Sequence, residues 1–183
     1  ASASVVVETA EPVAPVAPAG GVSGANVPDL DYRAHDAIEM LLSYAAKVRP
    51  EQIGENDTTD TLTNGVSSRR NQLLMDISSE LGVASVDGAA EASIRDLNAL
   101  VDKVAPNYKA FGPVLSDIVR DRVRSLFGAA GVKQQYIRDR VANVWQLGEG
   151  WVASVLAALL LDTREGSSSR GGDPGQAADR CRA

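Results

Sequence analysis

The sequence has little of the material from which most catalytic and metal-binding sites are built. Its 183 residues include one histidine, His35, and one cysteine, Cys181. A zinc site or a Cys–His catalytic pair needs several such side chains, so no metal and no catalytic residue is expected, and an enzyme in its own right is the least favoured class. A single cysteine also allows no internal disulfide, which indicates a reducing, cytoplasmic setting.

Aromatic residues and long apolar runs are scarce as well. Only 4% of the residues are aromatic, although 44% are hydrophobic, with Ala, Leu and Val abundant. This mixture is typical of helices that pack on helices. The longest apolar run, residues 152–161, is interrupted by Ser154 and is too short to cross a bilayer, so no membrane partner is expected. The chain has no initiator Met and no signal-like segment, which suggests a piece of a longer protein.

The charges form no concentrated basic face. Residues 29–105 hold 14 acidic and 7 basic side chains, net −7, whereas residues 106–164 hold 5 acidic and 8 basic side chains, net +3. Binding to nucleic acid needs clustered cations, so nucleic acid is not an expected partner. An acidic region suits a small domain that visits cationic docking sites, although ordinary solubilising charge gives the same pattern.

Composition and periodicity divide the chain into four parts. Residues 1–28 are rich in Ala and Pro without a helical or strand period, and residues 164–183 are rich in Ser, Gly, Asp and Arg, so both are predicted to be flexible linkers. The sequence between them predicts an all-α fold, because apolar residues recur there with helical spacing. The predicted helices cover residues 32–48, a segment starting at Ser67, residues 94–104 behind a Ser93 cap, and residues 111–127, 132–147 and 151–161.

The helix that starts at Ser67 organises the rest of the chain. A turn at Gly65 delivers Ser67 and Ser68 to its beginning, and an apolar stripe follows at Leu73, Leu74, Ile77 and Leu81. A serine at a helix start commonly serves as the N-cap. That role would explain the serine without assigning it any function.

The spacing behind Ser67 resembles that of acyl carrier proteins. In this family a serine at the start of the second helix carries 4'-phosphopantetheine, paired apolar residues follow six and seven positions later, and an acidic–apolar–Gly ending closes the helix. Leu73 and Leu74 fall at six and seven, and Glu80-Leu81-Gly82 falls at thirteen to fifteen. The Asp-Ser-Leu signature of free-standing bacterial carriers is absent. Residues 65–68, followed by Asn71, instead resemble carrier domains of fungal and actinobacterial, mycobacterial-like type I fatty acid synthases.

The resemblance implies an acyl-carrier-like helical bundle followed by an additional helical subdomain. Residues 29–105 would be the carrier core and residues 106–163 the additional subdomain. The register favours Ser67 over Ser68 as the attachment site of a covalent 4'-phosphopantetheine derived from coenzyme A. Ser68, Arg69 and Arg70 would contact the phosphate or a partner surface; a plain solvated helix face is the alternative for the two arginines.

The implied function is a carrier that performs no bond-making step itself. Growing fatty acyl chains would ride as thioesters between the ketoacyl synthase, ketoreductase, dehydratase, enoyl reductase and acyl transferase domains of the same synthase. A phosphopantetheinyl transferase would be a further partner, and the parent protein is expected to be a large homo-oligomer, a hexamer. A carrier from a polyketide or peptide synthetase would share Ser67 but lack the helices beyond residue 106. In an unmodified structural helical module the serine would only cap its helix.

Overall fold

Seven α-helices make up most of residues 27–163, the part of the chain that the computed structural model describes. They are α1 (Ala34–Ala46), α2 (Thr59–Leu62), α3 (Ser67–Leu81), α4 (Ile94–Val104), α5 (Pro113–Phe127), α6 (Gln134–Asp139) and α7 (Glu149–Thr163). The described residues contain no strand, only a single antiparallel bridge between Thr58 and Ser93. The all-α prediction is therefore confirmed. Residues 1–26 and 164–183, with most of the predicted linkers and Cys181, lie outside the described residues. None of the seven helices combines the length and the apolar character needed to cross a membrane.

Helix α1 is shorter at both ends than its apolar pattern predicts. It ends at Ala46 because Lys47 adopts a left-handed conformation (φ 59°) and its backbone N–H donates to the carbonyl of Ser43. Pro50, four residues further on, starts a separate 3₁₀ turn, Pro50–Gln52. A left-handed C-cap at a residue other than Gly gives no clear signal in the sequence.

The polar connection between α1 and α2 is fastened to the start of α4. Ile94 N–H donates to the carbonyl of Asp57 at 2.8 Å, and Arg95 N–H donates to that of Glu55 at 3.1 Å. Ser93 caps α4 as predicted, its hydroxyl accepting from Asp96 N–H. The long connection is thereby held against the bundle.

One continuous apolar core joins the first four helices to the last three. Helix α1 packs on α3, α4 and α7, and α5 packs on α3, α6 and α7. Burying a Leu or Ile side chain stabilises a fold by about 1.5–3 kcal/mol, so this core supplies the main driving force. The largest fully buried side chains are Ile38, Leu41, Leu42, Ile77, Leu97, Val101, Leu115, Phe127, Ile137, Leu156, Leu159 and Leu160. The division into a carrier core and an additional subdomain stays a prediction.

The predicted helix at residues 132–147 is not a regular α-helix throughout. It starts as α6 and continues as a π-helical turn, Arg140–Val144, in which the N–H of Trp145 donates to the carbonyl of Arg140 at 3.3 Å. Apolar spacing cannot reveal this change, because a widened turn alters the hydrogen bonds and leaves the residue types unchanged.

Helix α7 begins two residues before its predicted start because the incoming chain caps it. Asp29 accepts a hydrogen bond from Gly150 N–H at 3.0 Å, and Trp151 Nε1 donates to the carbonyl of Pro28 at 3.0 Å. A Cβ on Gly150 would overlap the carbonyl oxygen of Leu30, so only glycine allows this close approach. The first described residues are thus fixed to the last helix.

Candidate functional site

The start of α3 is shaped by a short capped helix and a left-handed turn. Thr58 caps α2, its hydroxyl accepting from Thr61 N–H. Asn64 (φ 54°) and Gly65 (φ 69°) then take left-handed conformations, and Gly65 N–H donates to the carbonyl of Asp60 at 2.9 Å. This turn reverses the chain and leads directly into α3.

Ser67 is the first residue of α3, and Val66 occupies the N-cap position. The alternative in which the serine only caps its helix is therefore not what the structure shows, because no side chain caps α3. Ser67 and Ser68 are both exposed, and neither hydroxyl has a hydrogen-bond partner within residues 27–163. Exposure leaves either serine reachable, so the choice of Ser67 still depends on the register.

The other long helices have acidic or hydroxyl acceptors at their beginnings, and α3 does not. Asp102 accepts from His35 N–H in α1, Ser93 caps α4, and Asp29 accepts from Gly150 N–H in α7. The first turn of α3 contains no acidic residue. The positive end of the helix dipole and its unpaired backbone N–H groups therefore favour an anion there.

The two arginines that follow the serines differ in their contacts. Arg70 Nη1 lies 2.8 Å from Asp60 Oδ1, so Arg70 braces α3 against α2. Arg69 is exposed, forms no ion pair within the described chain, and lines a cleft of about 490 Å³ together with Lys47, Asn64 and Gln72. Of the two, Arg69 is therefore the one whose guanidinium is open to an anion.

The apolar register behind Ser67 fixes α3 to the bundle. Leu73 and Ile77 are fully buried in the core, while Leu74 and Leu81 are partly buried against it. Met75, eight positions after Ser67, is 64% exposed. The buried stripe thus holds α3 so that its serine end and Met75 face solvent.

Sequence reasoning missed the role of the only histidine. His35 Nδ1 lies 2.8 Å from Asp102 Oδ2, and its Nε2 lies 3.4 Å from Asp36 Oδ1. The ring is half-buried, and its contact with Asp102 joins the start of α1 to α4. No sequence signal pairs residues 67 positions apart.

A comparison with families of known proteins found no family model that matches the chain. A comparison with curated proteins found the fatty acid synthase alpha subunit stcJ of Emericella nidulans, 25% identical over 134 residues. The match supports a distant link to fatty acid synthases. It covers 73% of this chain, which spans only 8% of that subunit. The name describes the whole subunit, so the part played by this region is a matter for proposal.

Proposed function

We propose that this chain is the acyl carrier region of a type I fatty acid synthase, with Ser67 carrying 4'-phosphopantetheine. The observation that carries the proposal is the Ser67 hydroxyl, exposed at the first residue of α3 and without a hydrogen-bond partner in the described chain. Its support is the carrier-like register from Ser67 to Gly82 and the distant similarity to a fatty acid synthase alpha subunit.

Attachment of the arm asks little of the chain itself. With coenzyme A and a phosphopantetheinyl transferase, Ser67 Oγ loses its proton to a base of the transferase and attacks the phosphorus next to the pantetheine. The new Oγ–P bond replaces the bond to adenosine 3',5'-bisphosphate, which leaves. Ser67 therefore needs to be accessible to the transferase, and this chain need not supply a base to activate it. The uncapped start of α3 and the exposed Arg69 favour the phosphodiester anion that results.

The chain contributes transport, since the arm supplies the thiol that holds the acyl group. Linking the carrier to its partner domains turns each encounter into a tethered one and raises the effective concentration of substrate at each site. The proposed partners are the ketoacyl synthase, ketoreductase, dehydratase, enoyl reductase and acyl transferase domains of the same synthase.

Intact-mass measurement tests the attachment directly. The chain is incubated with coenzyme A and a phosphopantetheinyl transferase, as the unaltered sequence and as Ser67→Ala and Ser68→Ala. We expect one added arm on the unaltered chain and on Ser68→Ala, and none on Ser67→Ala.

The other outcomes are informative. A mass gain lost in Ser68→Ala but kept in Ser67→Ala would move the site by one residue. No gain on the unaltered chain with a transferase that modifies a known carrier in the same tube would favour the unmodified helical module and overturn the proposal.

A further inference from the structure

The opposite end of α3 contains a buried carboxylate. Glu80 lies thirteen residues after Ser67, in the last turn of the helix, and is only 2% exposed. Acidic side chains are rarely buried unless they are paired. Glu80 has no ion pair with a cation among the described residues. Some other arrangement must therefore compensate its loss of water.

Three hydrogen-bond donors supply that compensation. Tyr108 hydroxyl donates to Glu80 Oε1 at 2.7 Å, Gly112 N–H donates to the same oxygen at 2.6 Å, and Leu115 N–H donates to Oε2 at 2.8 Å. All three donors lie beyond residue 105, after the first four helices. The carboxylate thus connects α3 to the segment that opens the last three helices.

The two backbone donors are those that a capping box satisfies. Gly112 is the N-cap of α5 and Leu115 is its third helical residue, and glycine has no side chain with which to cap the helix. Glu80, although it belongs to α3, therefore caps the start of α5 in place of a local side chain. A negative charge at this end of α5 is also favoured by the helix dipole.

Close backbone packing adds to the same connection. A Cβ on Gly112 would overlap the carbonyl oxygen of Glu80, so the backbones of the two segments touch. Nearby, the rings of Tyr32 and Phe111 stack edge to face with centroids 5.9 Å apart. Burial, followed by the hydrogen bond to Glu80, raises the pKa of the Tyr108 phenol, which keeps it protonated as a donor.

We propose that Glu80 is a positioning residue that fixes the orientation of α3 at the start of α5, so that the Ser67-bearing helix and helices α5–α7, already joined by the apolar core, move as one rigid body. A buried carboxylate that loses its hydrogen-bond donors is strongly disfavoured. An arrangement in which Glu80 stays buried but the start of α5 has moved away from it is therefore high in free energy. A partner that receives Ser67 must then also accommodate α5–α7 at a fixed place. The proposal goes beyond the carrier function and holds whether or not Ser67 is modified.

Residual dipolar couplings measure the orientation directly. In the full chain we expect one alignment tensor to fit the amides of both α1–α4 and α5–α7. In Glu80→Gln, which keeps the side-chain size but replaces one acceptor oxygen by a donor group, the shared apolar core still joins the two parts, and we expect the couplings of α5–α7 to fit the tensor of α1–α4 less well than in the unaltered chain. Amide exchange at Gly112 and Leu115 should also accelerate about tenfold or more, because each loses a charge-assisted acceptor. Glu91→Gln, at an exposed position, is the matched control and should change neither measurement.

A second variant keeps the test decisive if Glu80→Gln folds poorly. Tyr108→Phe removes one donor and leaves both backbone bonds to Glu80, so slow amide exchange at Gly112 and Leu115 should persist, and fast exchange there would contradict the proposal. Couplings and amide exchange in Glu80→Gln that equal those of the unaltered chain overturn the proposal. Loss of arm attachment in Ser67→Ala has no bearing on either readout, so the two proposals fail separately.

Discussion

The two ends of α3 are built for opposite purposes. At the first residue, the Ser67 hydroxyl is exposed and has no partner within the described chain. Near the last residue, the Glu80 carboxylate is buried and accepts three hydrogen bonds. One helix thus leaves a polar atom in solvent at one end and uses another to fix its position at the other end.

The largest expected effect comes from removing the buried group. Glu80→Ala leaves two backbone N–H groups and a phenol without their acceptor, and we expect the free energy of unfolding to fall by about 3 kcal/mol. Ser67→Ala removes an exposed hydroxyl and should change it by less than about 0.5 kcal/mol. Urea unfolding of both variants measures the difference. Equal effects would show that the two ends do not differ as described.

Gly112→Ala tests the close approach at the Glu80 end. The added methyl group overlaps the carbonyl oxygen of Glu80, so we expect a loss of about 2 kcal/mol in the free energy of unfolding. Gly128→Ala is the matched control, because Gly128 has helical angles and its Cβ would meet only Arg124 Cγ at 3.4 Å. That control should be neutral or slightly stabilising. A Gly112 variant as stable as the control would mean that the contact between Gly112 and the Glu80 backbone can accommodate a methyl group.

Alkaline pH should weaken the same region. Burial raises the pKa of the Tyr32 and Tyr108 phenols above their ordinary value of about 10, with further contributions from Asp36 at Tyr32 and from Glu80 at Tyr108. The stabilising contribution of a raised pKa is complete below the unfolded value and is lost as pH rises toward the folded one. Above about pH 10 the free energy of unfolding should fall by up to about 1.4 kcal/mol per pH unit for each phenol. Unfolding curves between pH 8 and pH 12 measure it, and a flat profile would contradict it.

The smallest effect is expected beside Ser67. Arg70→Ala breaks a partly exposed ion pair with Asp60 and should cost about 0.5 kcal/mol, whereas Arg69→Ala should cost nothing measurable. Thermal unfolding of the two variants at low and high salt separates them, since salt weakens only the Arg70 contribution. A larger effect at Arg69 would mean that the serine end is more constrained than its exposure indicates.

Several elements could be predicted because their signals are local. Leu73 and Ile77 are buried as their spacing indicates, Ser93 caps α4, and Gly82 ends α3 in a left-handed conformation (φ 69°). Each of these depends on residues within about one turn of each other. Structure over that range depends mainly on the types of the neighbouring residues.

The elements that escaped prediction depend on contacts between distant parts of the chain. Glu80 fits the carrier pattern as an acidic residue, but nothing in its neighbours shows that the start of α5 covers it. His35 and Asp102 meet only because α1 packs on α4. Asp29 caps α7 from 121 positions away. Such acceptors bind backbone N–H groups at helix starts that have no local capping side chain. The sequence around those starts shows that a local cap is missing, but not which distant residue replaces it.

By itself, the sequence determined that the chain forms amphipathic helices and that a serine stands where one of them begins, because period and turn chemistry act over a few residues. Only the tertiary structure decided which polar groups are left to solvent and which are buried as locks between helices. The reason is that desolvation and hydrogen-bond geometry depend on what packs around a group, and those neighbours come from remote segments.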